Sequence, residues 1–254
     1  MRILPRPQRE AMFEIYSFCR AVDDIADDLG PREPRRELLQ RWRSDIDAIY
    51  DGTPPTPLLG LAEAVRAFAL AREDFMAVID GMEMDVVADI RAPDWATLDL
   101  YCDRVACAVG RLSVRVFGME RQAGLALAHE LGNALQLTNI LRDLDEDASL
   151  GRLYLPREAL RDAGIISADP STVLANPMLG EACRTVIEAA RRHFAAAEAV
   201  MAKSPRRIVR APRIMGEAYR AILDKLVARG FAPPRIPVRH SRLNLLLILL
   251  RNLV

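Results

Sequence analysis

Apolar residues recur at helical spacing along most of the chain. Between about Gln8 and Leu29, the residues Ala11, Ile15, Phe18, Cys19, Val22, Ala26 and Leu29 fall within roughly 100° of helix circumference, which predicts a buried stripe. Gly30-Pro31 ends that helix. Leu38, Leu39, Trp42, Ile46 and Ile49 predict a second helix that stops at Asp51-Gly52, and Thr53-Pro54-Pro55-Thr56-Pro57 reads as a stiff loop. Leu61, Val65 and Phe68 begin another helix, and Phe75, Val78, Ile79 and Met82 a further one, before a break from Ile90 to Pro93. Asp94 is placed to cap a long helix with the stripe Leu98, Tyr101, Cys102, Val105, Val109 and Leu112. Tyr101, Val105 and Val109 lie on one line of it, as core packing or as a pocket wall. The next helix runs from about Arg121 to Asp147, and Gly151 to Pro156 forms a loop. Two long patterns follow, about Leu179 to Met201 and Ile208 to Ala228, ended by Pro233, Pro234 and Pro237. No segment alternates with period two and no linker interrupts the chain, so residues 1–254 read as one all-α domain.

Polar residues break this pattern on two buried helices. With Asp143 at about 0°, Gly132 falls near −20°, Gln136 near 20°, Asn139 near −40° and Asp147 near 40°. Leu135, Leu137, Ile140, Leu141 and Leu144 fill most of the remaining circumference, so the row belongs to a buried helix and needs a partner. Gly132 leaves room beside it for something bulky. Asp145 points away near 200° and Glu146 stands at the margin near −60°. On the first helix, with Ile15 at about 0°, Asp23 lies near 80°, Asp27 near 120° and Arg20 near 140°, while Asp24 points near 180°. The Asp80 to Asp85 segment carries three acids that read as half-exposed positions.

If the two rows face each other across a cavity, four carboxylates meet, which is unfavourable without cations between them. Hard oxygen donors of this kind suit Mg2+ holding a diphosphate, with Arg20, Arg142 or Arg152 adding positive charge. A cavity lined below the cations by Val, Leu, Ile and Phe implies a hydrocarbon tail, hence a prenyl diphosphate. Asp143, Asp145 and Asp147 also match the first ligands of an EF-hand. Ala148 stands where its glycine belongs and Tyr154 where its bidentate glutamate belongs, which excludes that reading. No P-loop or dinucleotide fingerprint occurs.

Composition narrows the classes further. Lys+Arg 35 balances Asp+Glu 35, which gives no reason to expect nucleic acid as a partner. Cys19, Cys102, Cys107 and Cys183 show no C-x-x-C spacing and read as reduced core residues of a cytosolic protein. The residues before the first helix lack the apolar core of a signal peptide. His129, His193 and His240 are scattered and make no zinc motif. The apolar tail from Leu243 to Val254 is shorter than the roughly 20 residues that span a bilayer. It reads as a last packed helix, or else as a segment contacting the membrane face.

Several segments together resemble the squalene/phytoene synthases, head-to-head prenyl transferases. Cys19-Arg20-Ala21-Val22-Asp23-Asp24-Ile25-Ala26-Asp27 resembles their first acidic motif. Gln136 through Asp147, with Arg152-Leu153-Tyr154-Leu155-Pro156, resembles the second, and Tyr101 to Ala106 with Val109-Gly110 the pocket helix. The likeness runs from about Leu4 to Gly230 and implies an isoprenoid synthase-type helical bundle with a central apolar cavity. The Asp80 to Asp85 and Cys102 to Phe117 segments are most similar to the bacterial hopanoid branch. The resemblance implies Mg2+ (or Mn2+) on Asp23, Asp27, Asp143 and Asp147, with Gln136 and Asn139 assisting. It implies that Arg20, Arg142, Arg152 and Tyr154 contact phosphate or the reacting carbons, and that Tyr101, Val105 and Val109 line the pocket.

The implied reaction joins two farnesyl diphosphates into presqualene diphosphate and needs no nicotinamide cofactor, in the cytoplasm or at the inner membrane face. Phytoene or dehydrosqualene synthesis is the alternative within the family, and a non-catalytic assembly protein the alternative outside it. The family's Ser-Phe segment ahead of the first acidic helix has no counterpart after Met1. Either the start lies upstream or the diphosphate cover is incomplete.

Overall fold

The computed structural model describes residues 4–88, 90–239, 248 and 252. The helices are α1 (Arg6–Asp27), α2 (Arg32–Tyr50), α3 (Leu59–Phe68), α4 (Arg72–Val87), α5 (Trp95–Cys102), α6 (Ala108–Phe117), α7 (Arg121–Arg142), α8 (Leu144–Ser149), α9 (Arg157–Asp162), α10 (Pro170–Leu174), α11 (Leu179–Ala202) and α12 (Arg206–Arg229). A 3-10 turn (Thr56–Leu58) precedes α3, and a π turn (Asp103–Cys107) joins α5 to α6. Among the described residues there is no strand, only an isolated parallel bridge between Arg91 and Leu153, so the expected all-α class holds. None of the helices is long and apolar enough to cross a membrane. The tail from residue 243, expected as a last helix or a membrane contact, lies outside the described residues apart from Ile248 and Asn252.

The chain forms two compact units. The first comprises Met1–Asp89 and Asp103–Gly132. Its core is built from the predicted stripes: Ile15, Phe18 and Val22 of α1, Leu39 and Ile46 of α2, and Phe75, Val78 and Ile79 of α4. Phe18 meets Trp42 and Phe75 edge to face at centroid distances of 5.4 and 5.1 Å. Burying a ring of that size stabilises by about 2–3 kcal/mol. Arg43 fastens α2 to α4 by donating to Asp80 (2.6 Å) and Glu83 (2.7 Å). Arg111 of α6 joins Asp74 of α4 to Asp103 of the π turn.

Three expectations change in this unit. Helix α1 ends at Asp27, where the backbone turns extended at Asp28, and Leu29 is 86% exposed rather than part of the stripe. The single helix expected through Leu98 to Leu112 is interrupted by the π turn, which slips the helical phase. Tyr101 therefore no longer shares a line with Val105 and Val109, and those two valines pack against the core of the first unit. Gly132 leaves no room for a ligand, because a Cβ there would stand 2.8 Å from Cys107 Cα and 2.9 Å from its nitrogen. The bare helix face serves a close helix crossing, repeated where a Cβ on Gly110 would stand 3.1 Å from Ala128 Cα.

The second unit comprises Ile90–Cys102 and Asn133–Val254. Asp94 caps α5 as expected, accepting from the Thr97 backbone N–H (2.8 Å). The loop after α8 is strapped to the segment before α5. Leu153 donates its N–H to the Ile90 carbonyl (2.7 Å) and accepts from Ala92 (2.8 Å), while Arg91 Nε donates to the Gly151 carbonyl (2.7 Å). Helices α11 and α12 match the two long patterns within two residues at each end. Helices α9 and α10, of six and five residues, are too short to show a periodic stripe. Helix α10 is set instead by Asp169, whose carboxylate accepts from Ser171 and Thr172.

Candidate functional site

The first acidic row lies on α1, in the first unit. Asp23 follows Val22 and Asp27 follows Ala26, so each carboxylate leaves the helix beside a buried position. Arg20 reaches Asp23 (3.3 Å) and Asp24 (2.7 Å). Burial, then the charge of Asp27, push the Asp23 carboxyl up to about 6, with Arg20 opposing and Asp24 and Asp85 adding to the rise. Cys19, one turn earlier, has its thiol pushed up to about 12 by burial and by Asp23. This is a crowded, half-exposed anionic patch that a cation would relieve.

Asp85 corrects the reading of the Asp80 to Asp85 segment. Asp80 and Glu83 are partly exposed and held by Arg43, whereas Asp85 is only 4% exposed. Its signal was present in the pattern, since Asp85 lies two turns after Val78, about 20° from it on the wheel. The wheel places it on the stripe of Val78 and Met82, which a count of acids overlooks. Its charge acts on Asp23, so the first row includes a third helix-borne carboxylate nearby.

The second row lies in the second unit, where the helix expected to continue to Asp147 breaks. Helix α7 ends at Arg142, and Asp143 (φ −101°, ψ 15°) precedes α8. Two bonds carry the phase across the break: Asp143 N–H to the Asn139 carbonyl and Asp147 N–H to the Asp143 carbonyl, both 2.8 Å. Asn139, Asp143 and Asp147 thus keep four-residue registration despite it, with Gln136 one turn earlier on α7. Arg142 forks onto Asp143 through Nε (2.7 Å) and Nη2 (2.6 Å). That pair, helped by Tyr219, holds the guanidinium above its ordinary value against the effect of burial. In this state Arg142 therefore neutralises a row carboxylate, the partner that a buried acid requires.

Asp145 points away as expected and has its own function. Arg235, whose side chain is 5% exposed, donates to both its oxygens (2.6 and 2.9 Å) and to the carbonyls of Leu174 and Phe231. Arg152 is buried, and its N–H donates to the Asp147 carbonyl (2.9 Å). Tyr154 is buried and stacked on Tyr101 at 4.9 Å, with the two hydroxyls 3.4 Å apart. Of the expected site residues, Arg20, Asp23, Asp27, Val105 and Val109 belong to the first unit. Tyr101, Gln136, Asn139, Arg142, Asp143, Asp147, Arg152 and Tyr154 belong to the second.

One atom tests whether the second row suits a metal. Asn139 Oδ1 is buried and has no hydrogen-bond donor, while its Nδ2 makes only a long 3.4 Å contact to Gln136 Oε1. A buried acceptor without a donor costs about 1–3 kcal/mol. Beside the row carboxylates, it fits a hard divalent cation or the water such a cation carries. Among the described residues, the second row by itself offers only oxygen donors, the carboxylates of Asp143 and Asp147 and the amide oxygens of Gln136 and Asn139.

Comparison with known proteins gives the chain its family. The squalene/phytoene synthase profile matches residues 1–244, and the chain belongs to that family. It is 62% identical over 251 residues to a presqualene diphosphate synthase of Rhodopseudomonas palustris, covering 99% of this chain and 90% of that protein. A presqualene diphosphate synthase of Zymomonas mobilis is 54% identical over 252 residues, covering 99% and 86%. A phytoene synthase of Mycobacterium tuberculosis is 37% identical over 185 residues, covering 70% and 58%. Among solved structures, squalene synthase HpnC from Alicyclobacillus acidocaldarius superposes with a TM-score of 0.82 at 26% identity, covering 91% of this chain and 87% of that one.

Proposed function

We propose that the chain is a prenyltransferase that condenses two farnesyl diphosphates into presqualene diphosphate and one free diphosphate, for squalene and hopanoid synthesis. The observation that carries this reading is the high identity to presqualene diphosphate synthases over nearly the whole chain, in a protein that keeps both acidic rows. The family profile runs across both compact units, which supports treating residues 1–254 as one functional domain. The intact rows also count against a purely structural role.

In this reading Asp23, Asp27, Asp143 and Asp147 hold Mg2+, for which Mn2+ can substitute, and Gln136 and Asn139 supply neutral oxygens. When bound, the metal supplies the positive charge that eases departure of the diphosphate. Arg20, Arg142 and Arg152 take phosphate oxygens, Arg142 exchanging part of its fork on Asp143 for the substrate. The first substrate loses diphosphate to form an allylic cation, and the double bond of the second attacks it. Loss of a proton and closure of the cyclopropane complete the product, with Tyr154 or the released diphosphate accepting the proton. Tyr101 and Tyr154 form a dry aromatic wall, which keeps water from trapping the cation.

The condensation is redox-neutral, so a nicotinamide cofactor has no part in it. A product with two long hydrocarbon chains partitions into lipid at about 0.8 kcal/mol per buried methylene. In this reading the work is done in the cytoplasm, at the face of the inner membrane.

Incubation with farnesyl diphosphate and Mg2+, followed by product identification, tests the proposal. Presqualene diphosphate is expected. Turnover of geranylgeranyl diphosphate in its place would make the protein a phytoene synthase, and dehydrosqualene would identify that alternative. Absence of Mg2+-dependent prenyl diphosphate binding would indicate the assembly role. Asp27→Ala and Asp143→Ala should each lower turnover by about a hundredfold or more with the helical spectrum intact. Retained activity in both sinks the metal assignment.

A further inference from the structure

We propose that Asp103, Cys107 and His129 form a binding site for a zinc-class divalent cation, outside both acidic rows. One ligand atom of each residue lies within 4.8 Å of those of the other two. All three residues belong to the first unit, two from the π turn and one from α7. The scattered histidines hid this group from a reading by spacing, because its donors stand on separate helices.

The helix crossing creates the site. Gly132 lets the α7 backbone press against Cys107, and His129 lies one turn earlier on α7. Cys107 Sγ is thereby held 3.4 Å from the His129 carbonyl, buried, while the imidazole stands at the exposed end and Asp103 is part-exposed. A cation thus has an entry path from solvent and a sulfur at its inner end. Thiolate, imidazole and carboxylate together suit Zn2+ and are a poor set for Mg2+, which takes oxygen and keeps its waters. Three protein ligands leave a fourth tetrahedral position for water.

Asp103 can serve without leaving a buried charge alone. Arg111 holds its Oδ1 at 2.7 Å but its Oδ2 only at 3.4 Å, and Arg111 Nε is already bonded to Asp74 at 2.5 Å. The guanidinium keeps Asp74 as its counter-ion when Asp103 turns toward a metal. On binding, the Cys107 thiol gives its proton to solvent as the metal–sulfur bond forms, with no change of oxidation state.

The test is titration of the full chain with Co2+ in the presence of excess Mg2+, read by absorption. One equivalent should produce a thiolate-to-cobalt charge-transfer band that Zn2+ then abolishes. Cys107→Ser should remove the band, and Cys19→Ser should keep it. His129→Gln, a change at an exposed position, should weaken binding about a hundredfold, since loss of even an outer-shell partner of a metal ligand costs 10–100-fold. Absence of the band in the wild type, its survival in Cys107→Ser, or unchanged affinity in His129→Gln would each overturn the proposal. The last variant keeps the test decisive if Cys107→Ser fails to fold.

Discussion

Replacing Gly132 by alanine separates two readings of the same bare helix face. As space for a ligand, that face would accept a methyl with little effect on folding but would weaken substrate binding. As a helix crossing, it cannot accept one, since the added Cβ would meet Cys107 Cα at 2.8 Å, its nitrogen at 2.9 Å and its Sγ at 2.9 Å. Two of these are backbone atoms that no rotamer change can move. Alanine within a helix gains about 1 kcal/mol over glycine, and overpacking a tight contact costs about 1–3 kcal/mol. With backbone on the far side the cost falls at or beyond the upper end, for a net loss of about 2 kcal/mol. In a chain of this size that is on the order of 6 °C in Tm. Urea and thermal unfolding followed by circular dichroism measure it directly. Gly180→Ala is the control: Gly180 sits near the start of α11 with nothing within 4 Å of an added Cβ, so it should gain about 0.5 kcal/mol. If Gly132→Ala proves as stable as wild type and only raises KM, the crossing argument is wrong and the face belongs to a ligand.

Three further outcomes follow from the site. Asp23 is protonated more readily folded, at about 6, than at its ordinary 3.8, so its contribution favours folding at low pH and is lost as pH rises through 4 to 6. The full shift corresponds to about 3 kcal/mol, reduced to about 1 kcal/mol because the side chain is 41% exposed. Metal-free Asp23→Asn should thus be more stable than wild type at pH 7 by about 1 kcal/mol, a difference in urea midpoint that disappears near pH 4. Asp145→Ala leaves the buried Arg235 without its carboxylate and should cost about 2 kcal/mol of stability while retaining turnover. Asp143→Ala should lower turnover by about a hundredfold or more, and equal effects of the two on activity would refute the phase argument. Tyr154→Phe keeps the stack on Tyr101 and removes one hydroxyl, so kcat should fall about a hundredfold, with stability changed by about 1 kcal/mol or less. Unchanged product formation would exclude that hydroxyl as the base.

The helices and the acidic residues could be read from the chain because both depend on local periodicity. Ile15, Phe18 and Val22 were placed by the 3.6-residue repeat alone, and the same repeat separated Asp143 and Asp147 from Asp145, which the structure gives to Arg235. Periodicity fails where the winding itself changes. The π turn at Asp103–Cys107 has no composition signal, and it moved Tyr101 off the line of Val105 and Val109. It also fails where a position depends on a distant segment. Gly132 looks like free space on one helix and proves to be filled by Cys107, 25 residues earlier in the chain. The break at Asp143 shows the converse, for the row survives it. The hydrogen bonds through Asn139, Asp143 and Asp147 preserve i to i+4 spacing where the dihedrals leave the helix. A donor row read by phase is therefore only as secure as the backbone bonds that carry the phase. At Asp143 they are present, whereas through Asp103–Cys107 the winding itself changes and the phase slips.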